Sequence, residues 1–326
     1  MNALLCHAFG PIAELRLQQV PDPEPGPGQV VVAVRACSLN FPDALIVQGL
    51  YQVKPALPFS PGAEFAGVVE RVGEGVDTLR PGDAVLAFAG HGGLAERCAV
   101  DAARLLRLPA GMDFAQGAAF LLTYGTALHA LRTVAALQPG QNVLVLGAAG
   151  GVGLAAVEVA KAMGARVIAA ASSAERLRLA AEHGADDGID YATQDLRRSV
   201  LGLTAGRGAD VVVDPVGGAF SESALRATAW RGAFLVVGFA AGDIPRLPLN
   251  LVLLQERRVL GVYWGDALQR EPQRHHADVE QLVRWFAEGR LRPPITERVG
   301  LAEARDAIER MAARRVMGKV VVEIAP

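Results

Sequence analysis

The stretch Val143-Leu-Val-Leu-Gly147-Ala148-Ala149-Gly150-Gly151-Val152-Gly153-Leu154-Ala155-Ala156 decides the fold. An apolar run reads as a buried parallel strand, a turn of small residues follows, and an amphipathic stretch to Met163 reads as a helix. This is the strand–turn–helix setting of a dinucleotide fingerprint, with Ala148 standing at its first glycine. Gly150 lets the backbone approach a pyrophosphate, Gly153 lets helix and strand pack closely, and the helix N-terminus offers free N–H groups to phosphate. A second strand, Arg166-Val-Ile-Ala-Ala170, follows one βαβ unit later. It runs into Ala171-Ser172-Ser173-Ala174-Glu175-Arg176. An enzyme using NADH places a carboxylate at that strand end to hold the ribose 2′-hydroxyl. Two hydroxyls and a guanidinium suit a 2′-phosphate instead, so the sequence predicts NADPH. Ser172 and Ser173 also suit a helix cap, and both roles are compatible.

Length and composition bound the rest. The chain has 326 residues, 51% of them hydrophobic, and a formal net charge of −2. That length allows two domains with separate cores. The near-neutral charge speaks against nucleic acid as a partner. Cys6, Cys37 and Cys98 are odd in number and far apart, which fits a reducing cytoplasm rather than a disulfide framework. Residues 1–10 lack the pattern of a signal peptide, and no apolar run reaches the length of a membrane span. A cytoplasmic protein without membrane partners is expected.

The first third is rich in Gly, Pro and Val, with β-like runs at 29–35, 66–72 and 84–88 separated by turns. Residues 113–137 turn helical and alanine-rich. From Asn142, strands expected at 142–147, 166–171, 187–189, 210–214, 233–238 and 258–263 alternate with helices, which predicts a doubly wound parallel sheet. Two amphipathic helices near 278–288 and 301–313 and a last strand at 319–324 are expected to return to the first domain. The expected fold class is α/β, a β-rich domain from 1–122 and 263–326 and a cofactor domain from 123–262.

Gly62-Ala-Glu64-Phe-Ala-Gly67 with Gly73 and Val76 matches the pattern G-x-E-x-x-G-x(5)-G-x-x-V, so the chain resembles the medium-chain dehydrogenase/reductase superfamily. Ser38-Leu-Asn40-Phe-Pro-Asp43, Gly49-Leu-Tyr51, Leu122-Thr-Tyr-Gly-Thr126 and Asp210-Val-Val-Val-Asp214 resemble its zinc-free, zeta-crystallin-like quinone oxidoreductases. Val237-Gly-Phe-Ala-Ala-Gly242 and Val262-Tyr-Trp-Gly265 resemble the subgroup called quinone oxidoreductase-like protein 2. The resemblance implies a GroES-like β-rich substrate domain and a Rossmann cofactor domain. Zinc-dependent relatives carry a Cys ligand where this chain has Asn40 and a His ligand where it has Ala63. Glu64 alone cannot complete a zinc site, and His91 and His129 lack partners at ligand spacing, so no metal is expected.

By the same resemblance, Asn40 and Tyr51 offer an amide and a phenol to a substrate carbonyl oxygen. Asn40 also suits the N-cap of a helix starting near Pro42, and Asp43 its first turn. Thr126 resembles a threonine near the nicotinamide, and Ala149, Gly150, Gly151 and Val152 surround the pyrophosphate. Ser172, Arg176, Tyr191 and Arg314 match positions around the 2′-phosphate, and Gly238, Phe239 and Ala240 positions against the nicotinamide. Trp264 reads either as a pocket residue or as an aromatic at a domain interface. Lys161 reads as a solvated charge.

The expected reaction is zinc-independent hydride transfer from NADPH to a quinone. Two alternatives remain open: reduction of the C=C bond of an enone or an enoyl or acryloyl thioester, and a low-turnover, crystallin-like nucleotide-binding protein. The apolar edge Val259-Leu-Gly-Val-Tyr263 predicts a homodimer.

Overall fold

A computed structural model describes residues 1–325 and divides the chain into two compact units. The first comprises Met1–Leu122 and the chain from Pro293 onward; the second is Thr123–Arg292.

The first unit opens with an antiparallel pair, β1 (Asn2–Leu5) and β2 (Arg16–Gln19). Next come β3 (Gln29–Ser38), α1 (Phe41–Val47), β4 (Glu64–Val72), β5 (Ala84–Phe88), β6 (Arg97–Asp101), β7 (Leu105–Arg107), α2 (Phe114–Ala118) and the start of α3 (Leu121–Leu128). Val30, Val32, Val34 and Cys37 on β3 are buried and seed the core of this unit. Such a run of β-branched residues is at home in a strand covered on both faces.

The second unit follows as β8 (Asn142–Leu146), α4 (Gly151–Ala162), β9 (Arg166–Ala171), α5 (Ala174–Glu182), β10 (Asp187–Asp190), α6 (Leu196–Leu203), β11 (Ala209–Asp214), α7 (Phe220–Ala227), β12 (Thr228–Val236), α8 (Asn250–Leu253), β13 (Arg258–Gly261), α9 (Trp264–Arg270) and α10 (Pro272–Ala287). Its six strands are all parallel in the order β10-β9-β8-β11-β12-β13. The order reverses between β8 and β11. That switch point, at the carboxyl ends of the strands, is where open α/β sheets hold ligands.

The chain returns with β14 (Ile295–Gly300), α11 (Ala304–Ala312) and β15 (Lys319–Glu323), which complete a sheet ordered β14-β15-β3-β4-β5-β7 with β6 also paired to β3. The sequence places this return at 263, whereas the structure places it at Pro293. Residues 263–292 stay with the second unit because their apolar residues are spent there. Trp264 is buried against Gly125, and Val279, Leu282 and Trp285 form the buried face of α10. Arg132 adds an ion pair to Asp278 at 3.0 Å.

Candidate cofactor and active site

The turn after β8 is built by two glycines with different tasks. Gly147 takes the left-handed conformation (φ 57°), which lets the buried Ala148 occupy the fingerprint's first position. Gly153 has no room for a side chain, since a Cβ there would lie 2.2 Å from the Gly147 carbonyl oxygen. Helix α4 therefore starts directly on the strand end, with Gly150 as its N-cap. Ala149 is buried, while Gly150, Gly151 and Val152 are half-buried at the helix mouth. The first N–H groups of a helix lack intrahelical partners and can face an anion.

At the end of β9, Ser172 is exposed and Ser173 caps α5, its Oγ accepting from the Arg176 N–H at 3.3 Å. Arg176 is half-buried in the first turn of that helix. Tyr191 packs its ring on Phe220, with centroids 4.2 Å apart. Ser172, Arg176 and Tyr191 thus share one unit. Arg314 belongs to the first unit, in a left-handed turn after α11 (φ 59°).

On the other side of the switch point, Asp214 ends β11 and organises the loop behind it. Its Oδ1 accepts from the N–H groups of Val216 (2.9 Å) and Gly217 (2.8 Å), and its Oδ2 from Ser221 Oγ (2.6 Å). Gly238 and Ala240 follow β12 and donate N–H bonds to the carbonyls of Asp214 and Pro215. Phe239 lies so near Gly217 that a Cβ there would sit 2.9 Å from its ring. Thr126 is half-buried on α3. Its neighbour Gly125 faces Trp264, which is buried and belongs to the same unit.

The first unit contains a buried polar cluster. Lys319 Nζ donates to Glu64 Oε1 (3.0 Å), Asn40 Oδ1 (2.5 Å) and the Leu39 carbonyl (3.1 Å). Asn40 Nδ2 donates to Glu64 Oε1 (2.9 Å) and to the Ser38 carbonyl (3.3 Å). Ser38 Oγ donates to the same Glu64 oxygen, and the Leu122 N–H to the other. Asn40 does hold the N-cap position of α1, yet its side chain makes no cap bond; Asp43 Oδ2 instead accepts from the Asn40 backbone N–H at 2.7 Å. Both donor bonds of the Asn40 amide, to Glu64 and to Ser38, lie inside the cluster. Sequence reading left out the Glu64–Lys319 pair. Its one local signal is a lysine opening the apolar run Lys319-Val-Val-Val322. A buried ion pair needs such additional hydrogen bonds to offset its desolvation. Tyr51 is half-buried and packs against the same core.

His91 packs edge-on against Phe59, and burial lowers its pKa. His129 is likewise lowered by burial. Among the described residues no three His, Cys, Asp or Glu side chains converge as ligands. No helix among them is long and apolar enough to cross a membrane.

Two family models match the chain. Residues 26–110 match the alcohol dehydrogenase GroES-like domain, and residues 151–288 match the zinc-binding dehydrogenase family. The quinone oxidoreductase-like protein 2 homolog of Nematostella vectensis is 41% identical over 300 residues, 91% of this chain and 82% of that protein. A quinone oxidoreductase of Pseudomonas aeruginosa is 37% identical over 321 residues, 97% of each chain. The crystal structure of Escherichia coli quinone oxidoreductase complexed with NADPH superposes with a TM-score of 0.92 at 27% identity, over 99% of this chain and 100% of that one. The second of these families carries zinc in its name. Asn40 and Ala63 offer neither thiolate nor imidazole, and Glu64 is already neutralised by the ammonium of Lys319.

Proposed function

The chain belongs to the quinone oxidoreductase branch of the medium-chain dehydrogenase/reductase superfamily, and from that premise we propose that it is an NADPH-dependent enzyme that reduces a quinone without zinc. The observation that carries this reading is the pairing of the glycine turn at 147–153 with a strand end that presents Ser172 and Arg176 in place of a carboxylate. When bound, NADPH supplies the hydride, and a proton completes the two-electron reduction to the hydroquinone.

The residues supply position and charge. The N–H groups at 149–152 receive the pyrophosphate. Ser172 and Arg176, with Tyr191, take the 2′-phosphate, where hydroxyl and guanidinium donors make charge-assisted bonds. Thr126 and the 238–240 loop hold the nicotinamide. Tyr51 donates to the carbonyl oxygen on which charge grows. Two buried thiols are raised by burial, Cys98 to about 12 and Cys37 well above its usual value, which keeps them out of the chemistry.

The test is the loss of NADPH absorbance with 1,4-benzoquinone or 9,10-phenanthrenequinone as acceptor, with NADH run alongside. Rapid oxidation with NADPH preferred is expected. Turnover only with an enone or acryloyl thioester would transfer the assignment to C=C reduction. Tight NADPH binding without turnover on any acceptor would leave a nucleotide-binding protein.

A further inference from the structure

Helix α3 is held from two sides at the residues just before Thr126. Tyr124 is fully buried, and its hydroxyl donates to Glu158 Oε2 at 2.6 Å. Gly125 lies so close to Trp264 that a Cβ would be 2.5 Å from the indole Cζ2. Glu158 sits two turns into α4, the helix that begins at the glycine turn, and it is buried. Its Oε1 is 2.6 Å from His183 Nδ1 at the end of α5, and its Oε2 also accepts the N–H of Arg292 at 2.8 Å. A buried carboxylate is costly unless donors converge on it. Here three do, yet none of the proposed hydride chemistry calls on the group.

We propose that Glu158 is a positioning residue for the nicotinamide half of the cofactor. Through Tyr124 it fixes α3 on α4, and so sets Thr126 at a defined spacing from the glycine turn. This rests on the reading that the second unit binds NADPH. A dinucleotide touching the α4 N-terminus with its pyrophosphate and Thr126 with its nicotinamide spans two helices. It binds tightly only if their spacing is held before it arrives. A short bond to a charged acceptor holds that spacing better than an apolar contact, which permits sliding.

The experiment compares NADPH with 2′,5′-ADP, which carries only the adenosine half, in titrations of the intact protein. Tyr124→Phe is expected to weaken NADPH about 5- to 10-fold, the loss of one hydrogen bond to a buried charge, and to leave 2′,5′-ADP within about twofold. Thr126→Val should weaken NADPH, and adding Tyr124→Phe to it should weaken NADPH little further, since Tyr124 acts through Thr126. Glu158→Gln, which keeps an acceptor for Tyr124, should retain more NADPH affinity than Glu158→Ala. Glu158→Ala replaces Tyr124→Phe in the cycle should that variant not fold. Equal weakening of both ligands, or multiplying losses in the double variant, would overturn the positioning role. Wild-type protein that binds neither ligand would instead overturn the underlying assignment of NADPH, and the inference with it.

Discussion

Asp43 carries a titration with a readable sign. Burial raises its carboxyl, and the Asn40 N–H, the Lys319 ammonium and the Ala63 and Gly62 N–H groups pull the other way, leaving it at about 6 against a usual 3.8. Between those values the folded protein keeps a proton that the unfolded chain gives up. Stability from this group is therefore present below pH 3.8 and falls as pH rises to 6, by about 3 kcal/mol in all. Unfolding free energies of wild type and Asp43→Asn, measured by denaturant at stepped pH, should differ in wild type's favour most at pH 4 and least at pH 7. A difference independent of pH would refute the assignment. Little of this cluster was legible beforehand. Asn40 could be read from its position as a cap, yet its side chain makes no cap bond, and its links to Glu64 and Ser38 show only in the fold. Lys319 and Glu64 lie 255 residues apart, so no local spacing pairs them. Only burial turns two surface-like residue types into a mutual requirement.

The glycine turn and its helix show what periodicity and residue size reveal without tertiary information. Strands covered on both faces must be continuously apolar, so β8, β9 and β11 stand out as short runs between turns. Gly153 follows from the same local logic, since helix and strand meet only if that position is bare. Gly153→Ala would put its Cβ 2.2 Å from the Gly147 oxygen. It is expected to lower stability by roughly 1–3 kcal/mol as an overpacking change and to abolish NADPH binding, read by thermal unfolding and cofactor fluorescence. Retained binding would show that the turn can open without losing its function. Two elements were misplaced for physical reasons. β12 begins at Thr228, not 233, because Arg231 and Gly232 kink it; Arg231 takes φ 58° while exposed Trp230 carries its guanidinium at 4.2 Å. α10 begins at Pro272, not near 278, because Gln273-Arg-His-His276 reads as solvent while the helix that it opens buries its opposite face.

At the scale of the molecule, the parallel sheet ends in β13, an edge strand with nothing beyond it in the sheet order. Val259 on this strand is 40% exposed, and Tyr263, two residues past its end, 46%. An edge of this kind pairs readily with a second copy about a two-fold axis. The mass of wild type by light scattering is expected to be that of a dimer. Val259→Lys, which places a charge on the edge, is expected to shift it toward the monomer; a monomeric wild type would refute the pairing. Chain order adds a consequence of another kind. The second unit is one uninterrupted segment, while the first is split around it and receives Lys319 only in its final strand. During synthesis from the N-terminus, the uninterrupted unit can complete its fold as soon as it emerges. Glu64, made long before, waits without its counter-ion until the last strand is threaded in. The early-made sheet is therefore the late-finished one, and a ribosome stalled before residue 319 would hold a mature cofactor unit beside an unneutralised, unfinished partner.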